Sequence, residues 1–194
     1  MIAAAILTGY VMGSIPFALI LARRRGADLR RVGSGNLGAA NVMRVSGVAA
    51  GVLVAALDMA KGAASVWLAA RVSDGAELPA AAGLAAIIGH IYPIWLRFRG
   101  GKGVATACGV FAMLAPLAVP PVLAIFAAVV WLTKYISLGS VLASIALPPI
   151  AYALGSPTPA VLAAAAAAGI IIFRHRSNVL RLRMGTERRI GARA

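Results

Sequence analysis

Seven apolar stretches, at residues 2–22, 47–72, 78–96, 103–118, 119–135, 137–154 and 158–173, dominate this chain, separated by clusters of glycine, proline or arginine. A helix needs roughly 20 mostly apolar residues to cross the hydrocarbon core of a bilayer. The composition agrees: 61% of residues are hydrophobic, the mean hydropathy is +0.91, and five acidic residues leave too little polar surface to coat a soluble globule. The expected architecture is an all-α integral membrane protein with about seven transmembrane helices. The first stretch lacks a basic leading region and ends in Arg23, Arg24 and Arg25, so it reads as a retained helix and not as a signal peptide. Pro116, Pro120 and Pro121 mark either a tight turn between the fourth and fifth stretches or a kink in a shorter re-entrant pair, which sets the fallback count at five.

Charge fixes the expected orientation. With the N-terminus outside, the cytoplasmic segments hold Arg23, Arg24, Arg25, Arg30, Arg31, Arg44, Arg97, Arg99, Lys102, Lys134, Arg174, Arg176, Arg181, Arg183, Arg188, Arg189 and Arg193. Of the 19 lysines and arginines only Arg71 then falls outside, and Lys61 lies within a span. That bias places the C-terminus in the cytoplasm. Trp95, Trp131 and Tyr135 near inner ends and Trp67 near an outer end fit interfacial belts.

The net charge of +14 has two readings: positive-inside sorting with attraction to anionic headgroups, or a basic vestibule that concentrates phosphorylated substrates. Nucleic-acid binding is not expected, because the arginines are scattered over juxtamembrane loops without a binding module. The single Cys108 excludes an intrachain disulfide. The alanine run 163–168 reads as a closely packed helix, and one polytopic domain, 1–194, accounts for the chain.

The polar residues gather in three places on the cytoplasmic side. The first loop carries Gly33, Ser34, Gly35, Asn36, Gly38 and Asn41, with Arg44 three residues on. Glycines let successive backbone amides turn toward one anion, Ser34, Asn36 and Asn41 add neutral donors, and Arg44 offers a forked charge. A flexible connector would look similar. The second loop runs from Gly89-His90 to Gly100-Gly101-Lys102-Gly103, where a glycine-rich turn entering a helix gathers amides and Lys102 around one point. It is no nucleotide-hydrolysis loop: Leu96 occupies the first glycine position of that motif, and Gly103, followed by Val104, stands after Lys102 where Ser or Thr belongs. His90 by itself is more often a packed histidine than a catalyst.

The tail carries Arg174, His175, Asn178, Arg181 and Glu187. On a continued helix Arg174, Asn178 and Arg181 share a face. His175 is a candidate base or donor, and Asn178 could orient a nucleophile or hold an oxyanion. The arginines alone would also suit a tail that binds headgroups. Inside the second stretch Asp58 and Lys61 are three apart, where unpaired charge is costly; they neutralise each other, or Lys61 reaches an anionic ligand.

Taken together, residues 34–41 with Arg44, residues 58–62, Gly89-His90 with residues 100–106, and Arg174-His175 with Asn178 and Arg181 resemble the bacterial membrane glycerol-3-phosphate acyltransferases that use acyl phosphate as donor. The likeness runs from about Gly13 to Glu187. It departs in detail: the family usually has Pro at Leu37, Thr at Ala40 and Lys at Arg99, so position 40 is given no site role.

The resemblance implies a seven-helix fold with outside N-terminus, in the bacterial cytoplasmic (inner) membrane, with the active site facing the cytoplasm. It implies transfer of a fatty acyl group from acyl phosphate to the 1-hydroxyl of glycerol 3-phosphate, without coenzyme A, metal or other cofactor. The expected partners are those two substrates and membrane lipid; no nucleic acid and no obligate protein partner is implied, and the chain is expected to be a monomer. On this reading residues 33–41 hold acyl phosphate and residues 100–103 shape the same cradle. Arg44, Lys102, His175 and Asn178 hold glycerol phosphate. Ser34, His175 and Asn178 are the candidate catalytic residues, with Ser34 as a binding group, since no evident base activates it. The base is His175 or, preferably, the departing phosphate. Two rivals fit less well. An organic-phosphate transporter should show internal repeats, and a metal-dependent phosphatidyltransferase needs clustered carboxylates, whereas Asp58 is the one acid in a confident span.

Overall fold

A computed structural model describes residues 2–24 and 28–190. The side chain of Arg24, and all of Arg25 and Arg193, lie outside the described residues. Every regular element among the described residues is a helix, and they group into two compact units that meet in sequence at Leu114 and Ala115.

The first unit holds α1 (Ile2–Gly13), α2 (Phe17–Arg24), α3 (Ala39–Ser46), α4 (Val48–Ala70), α5 (Glu77–Ile91), a short 3-10 turn (Ile94–Leu96) and α6 (Val104–Leu114). The first apolar stretch is not one smooth helix. Pro16 has no amide hydrogen, and the helix opens at Ser14-Ile15-Pro16 before resuming at Phe17. Helix α1 lies on α5, and α4 lies on α3, α5 and α6. Lipid is as apolar as leucine, so such contacts depend on close approach of backbones. A Cβ added at Gly9 or Gly13 would overlap the carbonyls of Ala82 and Ala86. Gly13→Leu is therefore expected to lower stability by about 1–3 kcal/mol. Gly169→Leu, where a side chain would enter open space, is expected to change it little, and thermal unfolding in detergent compares the two.

The second unit holds α7 (Val119–Thr133), α8 (Ile136–Ala153), α9 (Thr158–Arg174) and α10 (Arg176–Arg183). Helix α8 packs between α7 and α9, and the alanine run does pack closely: Ala163, Ala164, Ala167 and Ala168 are buried. Pro120 and Pro121 occupy the first turn of α7, where a missing amide hydrogen costs little. The tail helix does not continue α9. It bends by 56° at His175, so Arg174 belongs to a different helix from Asn178 and Arg181 and the expected common face is lost.

The helices fall where the apolar stretches predict, but length alone counts fewer crossings than seven. Ile2–Arg23, Val48–Ala70, Glu77–Leu96 and Ile136–Ala153 are long and apolar enough to span, and the bent pair at His175 makes up to five. Val104–Leu114 and Val119–Thr133 are apolar but have 11 and 15 residues. Glycine and proline trim both: Gly103 and Pro116 bracket the first, and Pro116 precedes the second.

Candidate active site

The first polar loop is more ordered than a connector. Leu29, Leu37 and Val42 are buried in an apolar cluster with Val54 of α4 and Ala18 and Ala22 of α2, which seats the segment on the helices beneath. From residue 39 onward it is helical, so Asn41 and Arg44 stand on α3 and not in a loop. Asn41 is fully buried. Its Oδ1 accepts the Ser34 amide at 2.7 Å, and its Nδ2 donates to the carbonyls of Leu29 and Val32, both at 3.2 Å. Both amide hydrogens are thereby spent. In this arrangement Asn41 ties the loop together, a role the sequence did not indicate.

Gly33 explains why the tie closes. Its φ is +62°, and a Cβ there would overlap Asn41 Oδ1. The Gly35 amide donates back to Val32 O at 3.2 Å, so neither the Ser34 nor the Gly35 amide is aimed outward as a backbone cradle would need. What the loop offers outward is the exposed Ser34 side chain, half-buried Asn36, and exposed Arg44. Gly38, with extended φ of −136°, caps the start of α3.

The second loop also differs from expectation. After α5 the chain turns through left-handed Arg97 and Phe98 and comes back along the helix end. The Gly100 amide donates to Ile91 O at 3.0 Å and the Gly101 amide to His90 O at 3.2 Å. These two amides build the turn instead of facing a ligand. Gly103, with φ of +87°, then enters α6, leaving half-buried Lys102 on the short leg between. A Cβ at Gly101 would overlap His90 Nε2 and approach Leu37 O to 3.0 Å. The two glycine-rich loops, 60-odd residues apart in sequence by their numbering, thus meet at Gly101 and Leu37.

Behind that meeting lies a charged group that spacing alone only half revealed. Lys61 Nζ is 2.8 Å from Asp58 Oδ1 and donates to Ile15 O at 2.8 Å, in the opening left by Pro16. His90 Nδ1 is 3.5 Å from the same Asp58 oxygen. Asp58 and Lys61 do pair, and Lys61 is not extended toward a ligand. His90 is a packed partner of the pair, which the sequence could not show because α4 and α5 meet only in the fold.

In the second unit His175 ends α9 and starts α10. Its Nδ1 lies 2.8 Å from Ile171 O; a carbonyl only accepts, so Nδ1 carries the hydrogen and Nε2 is the nitrogen able to accept in the neutral ring. The His175 carbonyl accepts the Asn178 amide at 2.9 Å, which locks the two together. Asn178 Nδ2 donates to Glu187 Oε1 at 2.7 Å, Ser137 Oγ donates to the same oxygen at 2.9 Å, and Arg181 Nε donates to Oε2 at 2.7 Å. A carboxylate only accepts, so Glu187 determines which end of the Asn178 amide faces it. Neither Glu187 nor Ser137 was assigned a site role from sequence. The available signal was one acid amid the arginines of the tail.

Burial pushes the Glu187 carboxyl up, but the hydrogen bonds from Asn178, Arg181 and Ser137 and the Arg181 charge together hold it below the ordinary glutamate value. A group lowered in the folded state contributes stability above its unfolded value and loses it as pH falls through the folded one. The melting temperature is expected to fall on acidification below the ordinary glutamate range, and Glu187→Gln to flatten that limb.

An all-helical chain with spanning-length helices, and with its polar side chains gathered where helices break or begin, has the form of an integral membrane enzyme for anionic substrates. Comparison with known proteins gives the class its family. The family model described as glycerol-3-phosphate acyltransferase matches residues 3–185. The chain is 46% identical over 183 residues to a glycerol-3-phosphate acyltransferase of Geobacter sulfurreducens, covering 94% of each chain. It is 48% identical over 185 residues to one of Roseobacter denitrificans, covering 94% of this chain and 91% of the other. A crystal structure of PlsY (YgiH), an integral membrane glycerol 3-phosphate acyltransferase, in its glycerol 3-phosphate form superposes with a TM-score of 0.93 at 37% identity, over 98% of this chain and 96% of that one. The lysophosphatidic acid form of PlsY gives 0.91 at 35%, over 98% and 95%. This chain belongs to the glycerol-3-phosphate acyltransferase family.

Proposed function

We propose that this protein transfers a fatty acyl group from acyl phosphate to the 1-hydroxyl of glycerol 3-phosphate, yielding lysophosphatidic acid and inorganic phosphate in the first acylation of phospholipid synthesis. The observation that carries the reading is the meeting of the two glycine-rich loops at Gly101 and Leu37, which sets the residue before Lys102 against the loop that carries Ser34. Family membership over nearly the whole chain supports the same substrate class.

Acyl phosphate is an activated anhydride, so the protein needs chiefly to hold two anions, exclude water from the carbonyl and bring the hydroxyl to it. The hydroxyl oxygen bonds to the acyl carbon, the bond from that carbon to the phosphate oxygen breaks, and the departing phosphate takes the hydroxyl proton. Ser34 and Asn36 bind the acyl phosphate, with Gly33, Gly35 and Gly38 shaping their loop and Asn41 holding it in place. Arg44 and Lys102 hold glycerol phosphate, and Gly100, Gly101 and Gly103 set the leg that carries Lys102. His175 and Asn178 act on the glycerol phosphate. His175 Nε2 is the alternative proton acceptor, consistent with the hydrogen that Nδ1 gives to Ile171 O.

The orientation and count belong to the same proposal. Helix α1 with α2, then α4, α5, α6, α7, α8 and α9 make seven crossings if the two short helices also span, with the N-terminus outside, the C-terminus in the cytoplasm and both units working as one monomeric domain in the inner membrane. The arginine distribution supports it. Single cysteines at Gly155 and at Arg99, in a chain lacking Cys108, are expected to label from outside and from inside respectively; the reverse pattern contradicts the orientation.

Donor identity is tested by offering purified protein palmitoyl phosphate or palmitoyl-coenzyme A with glycerol 3-phosphate and EDTA. Product from palmitoyl phosphate alone is expected. Product only from the thioester, or only after a metal is restored, rejects the proposal.

A further inference from the structure

Asp58, Lys61 and His90 are all buried, and the proposed chemistry uses none of them. If neutralisation were their whole purpose, Asp58 and Lys61 would suffice, since they already lie 2.8 Å apart. Yet the group links three elements of the first unit. Lys61 donates to Ile15 O at the break between α1 and α2, Asp58 and Lys61 belong to α4, and His90 stands in the last turn of α5. His90 in turn holds Gly101 from two sides: its carbonyl accepts the Gly101 amide at 3.2 Å, and the Nε2 edge of its ring fills the place where a Cβ of residue 101 would lie. The other edge of the ring, at Nδ1, faces Asp58 at 3.5 Å. A small cavity lined by Ile15, Leu37, Asp58, Lys61, His90 and Gly101 adjoins the ring.

We propose that Asp58, held by Lys61, fixes the His90 ring and that these three are positioning residues, which through Gly101 set the leg carrying Lys102 and thereby the grip on glycerol 3-phosphate. The inference rests on the assignment of Lys102 to that substrate. A carboxylate alone in a spanning helix would be too costly, and Lys61 supplies the compensating charge and a second anchor at Ile15. The ring completes a relay of contacts from the helix core to the loop surface.

Steady-state kinetics on intact purified protein separates this from a purely structural role. His90→Ala is expected to raise KM for glycerol 3-phosphate about tenfold with kcat within about twofold, the pattern of a lost binding interaction. His90→Gln, whose side-chain amide still donates to Asp58, is expected to recover most of that loss. The paired Asp58→Leu, Lys61→Met variant removes both buried charges and every side-chain acceptor at position 58. It is expected to recover the thermal stability that Asp58→Leu alone loses, yet to show the raised KM of His90→Ala, because the ring has lost its acceptor. Lys102→Ala serves as the reference for the underlying assignment. If Lys102→Ala raises KM but His90→Ala keeps the wild-type value, or if the paired variant regains both stability and wild-type KM, the inference is overturned while the Lys102 assignment stands. If Lys102→Ala leaves KM unchanged, the assignment fails and the inference with it. Should the paired variant not fold, the two His90 variants decide alone: a KM equally raised in both contradicts a hold exerted through Asp58.

Discussion

Asp58→Ala is expected to leave little folded protein in the membrane. Asp58 and Lys61 are 2% and 5% exposed, so removing the carboxylate leaves an ammonium buried in the helix bundle that still donates to Ile15 O but has lost its counter-charge. Breaking a buried ion pair from one side costs about 3–5 kcal/mol. That is a large share of the stability of a typical domain, about 5–15 kcal/mol. The exposed pair of Arg31 and Asp28, 3.4 Å apart and three residues apart in sequence, makes the contrast: Asp28→Ala is expected to change stability by less than about 1 kcal/mol. Yield and thermal midpoint in detergent compare the two, and equal effects would contradict the account of the buried group.

Glu187→Ala is expected to produce the largest loss of turnover among residues that are not proposed to touch substrate. It removes the acceptor shared by Asn178, Ser137 and Arg181 and leaves the Asn178 amide without the group that determines its orientation. A small displacement of a positioned group can lower the rate about 100-fold, which is the expected fall in kcat. The network also tethers the tail, since Arg189 Nε donates to Tyr135 Oη at 3.0 Å and the Ile190 amide to Lys134 O at 2.8 Å. Some loss of stability should therefore accompany the loss of rate. Wild-type turnover in folded Glu187→Ala would show that Asn178 needs no such hold.

The spanning helices were legible in the sequence because a bilayer demands length and apolarity above all, and both are visible residue by residue. The expected stretch 137–154 became Ile136–Ala153, and 158–173 became Thr158–Arg174. What escaped was set by tertiary contact. The eight residues of α3 are too few to announce a helix within a glycine-rich loop, and nothing local marks the three hydrogen bonds by which Asn41 ties that loop together. Gly100 and Gly101 likewise resemble a phosphate turn in sequence, while their amides return to Ile91 and His90. The bend at His175 follows from no proline or glycine, so nothing local marked it. His90 found its role only through Asp58, 32 positions earlier by their numbers, and Glu187 only through Asn178.

The most direct test of the central claim follows inorganic phosphate and lysophosphatidic acid together, from palmitoyl phosphate and glycerol 3-phosphate, in wild type, Lys102→Ala and Asn178→Ala. One phosphate released per lysophosphatidic acid formed, dependent on glycerol 3-phosphate and strongly reduced in both folded variants at glycerol 3-phosphate near the wild-type KM, is the predicted result. Phosphate release without acylated product, or equal rates in all three proteins, would contradict the account.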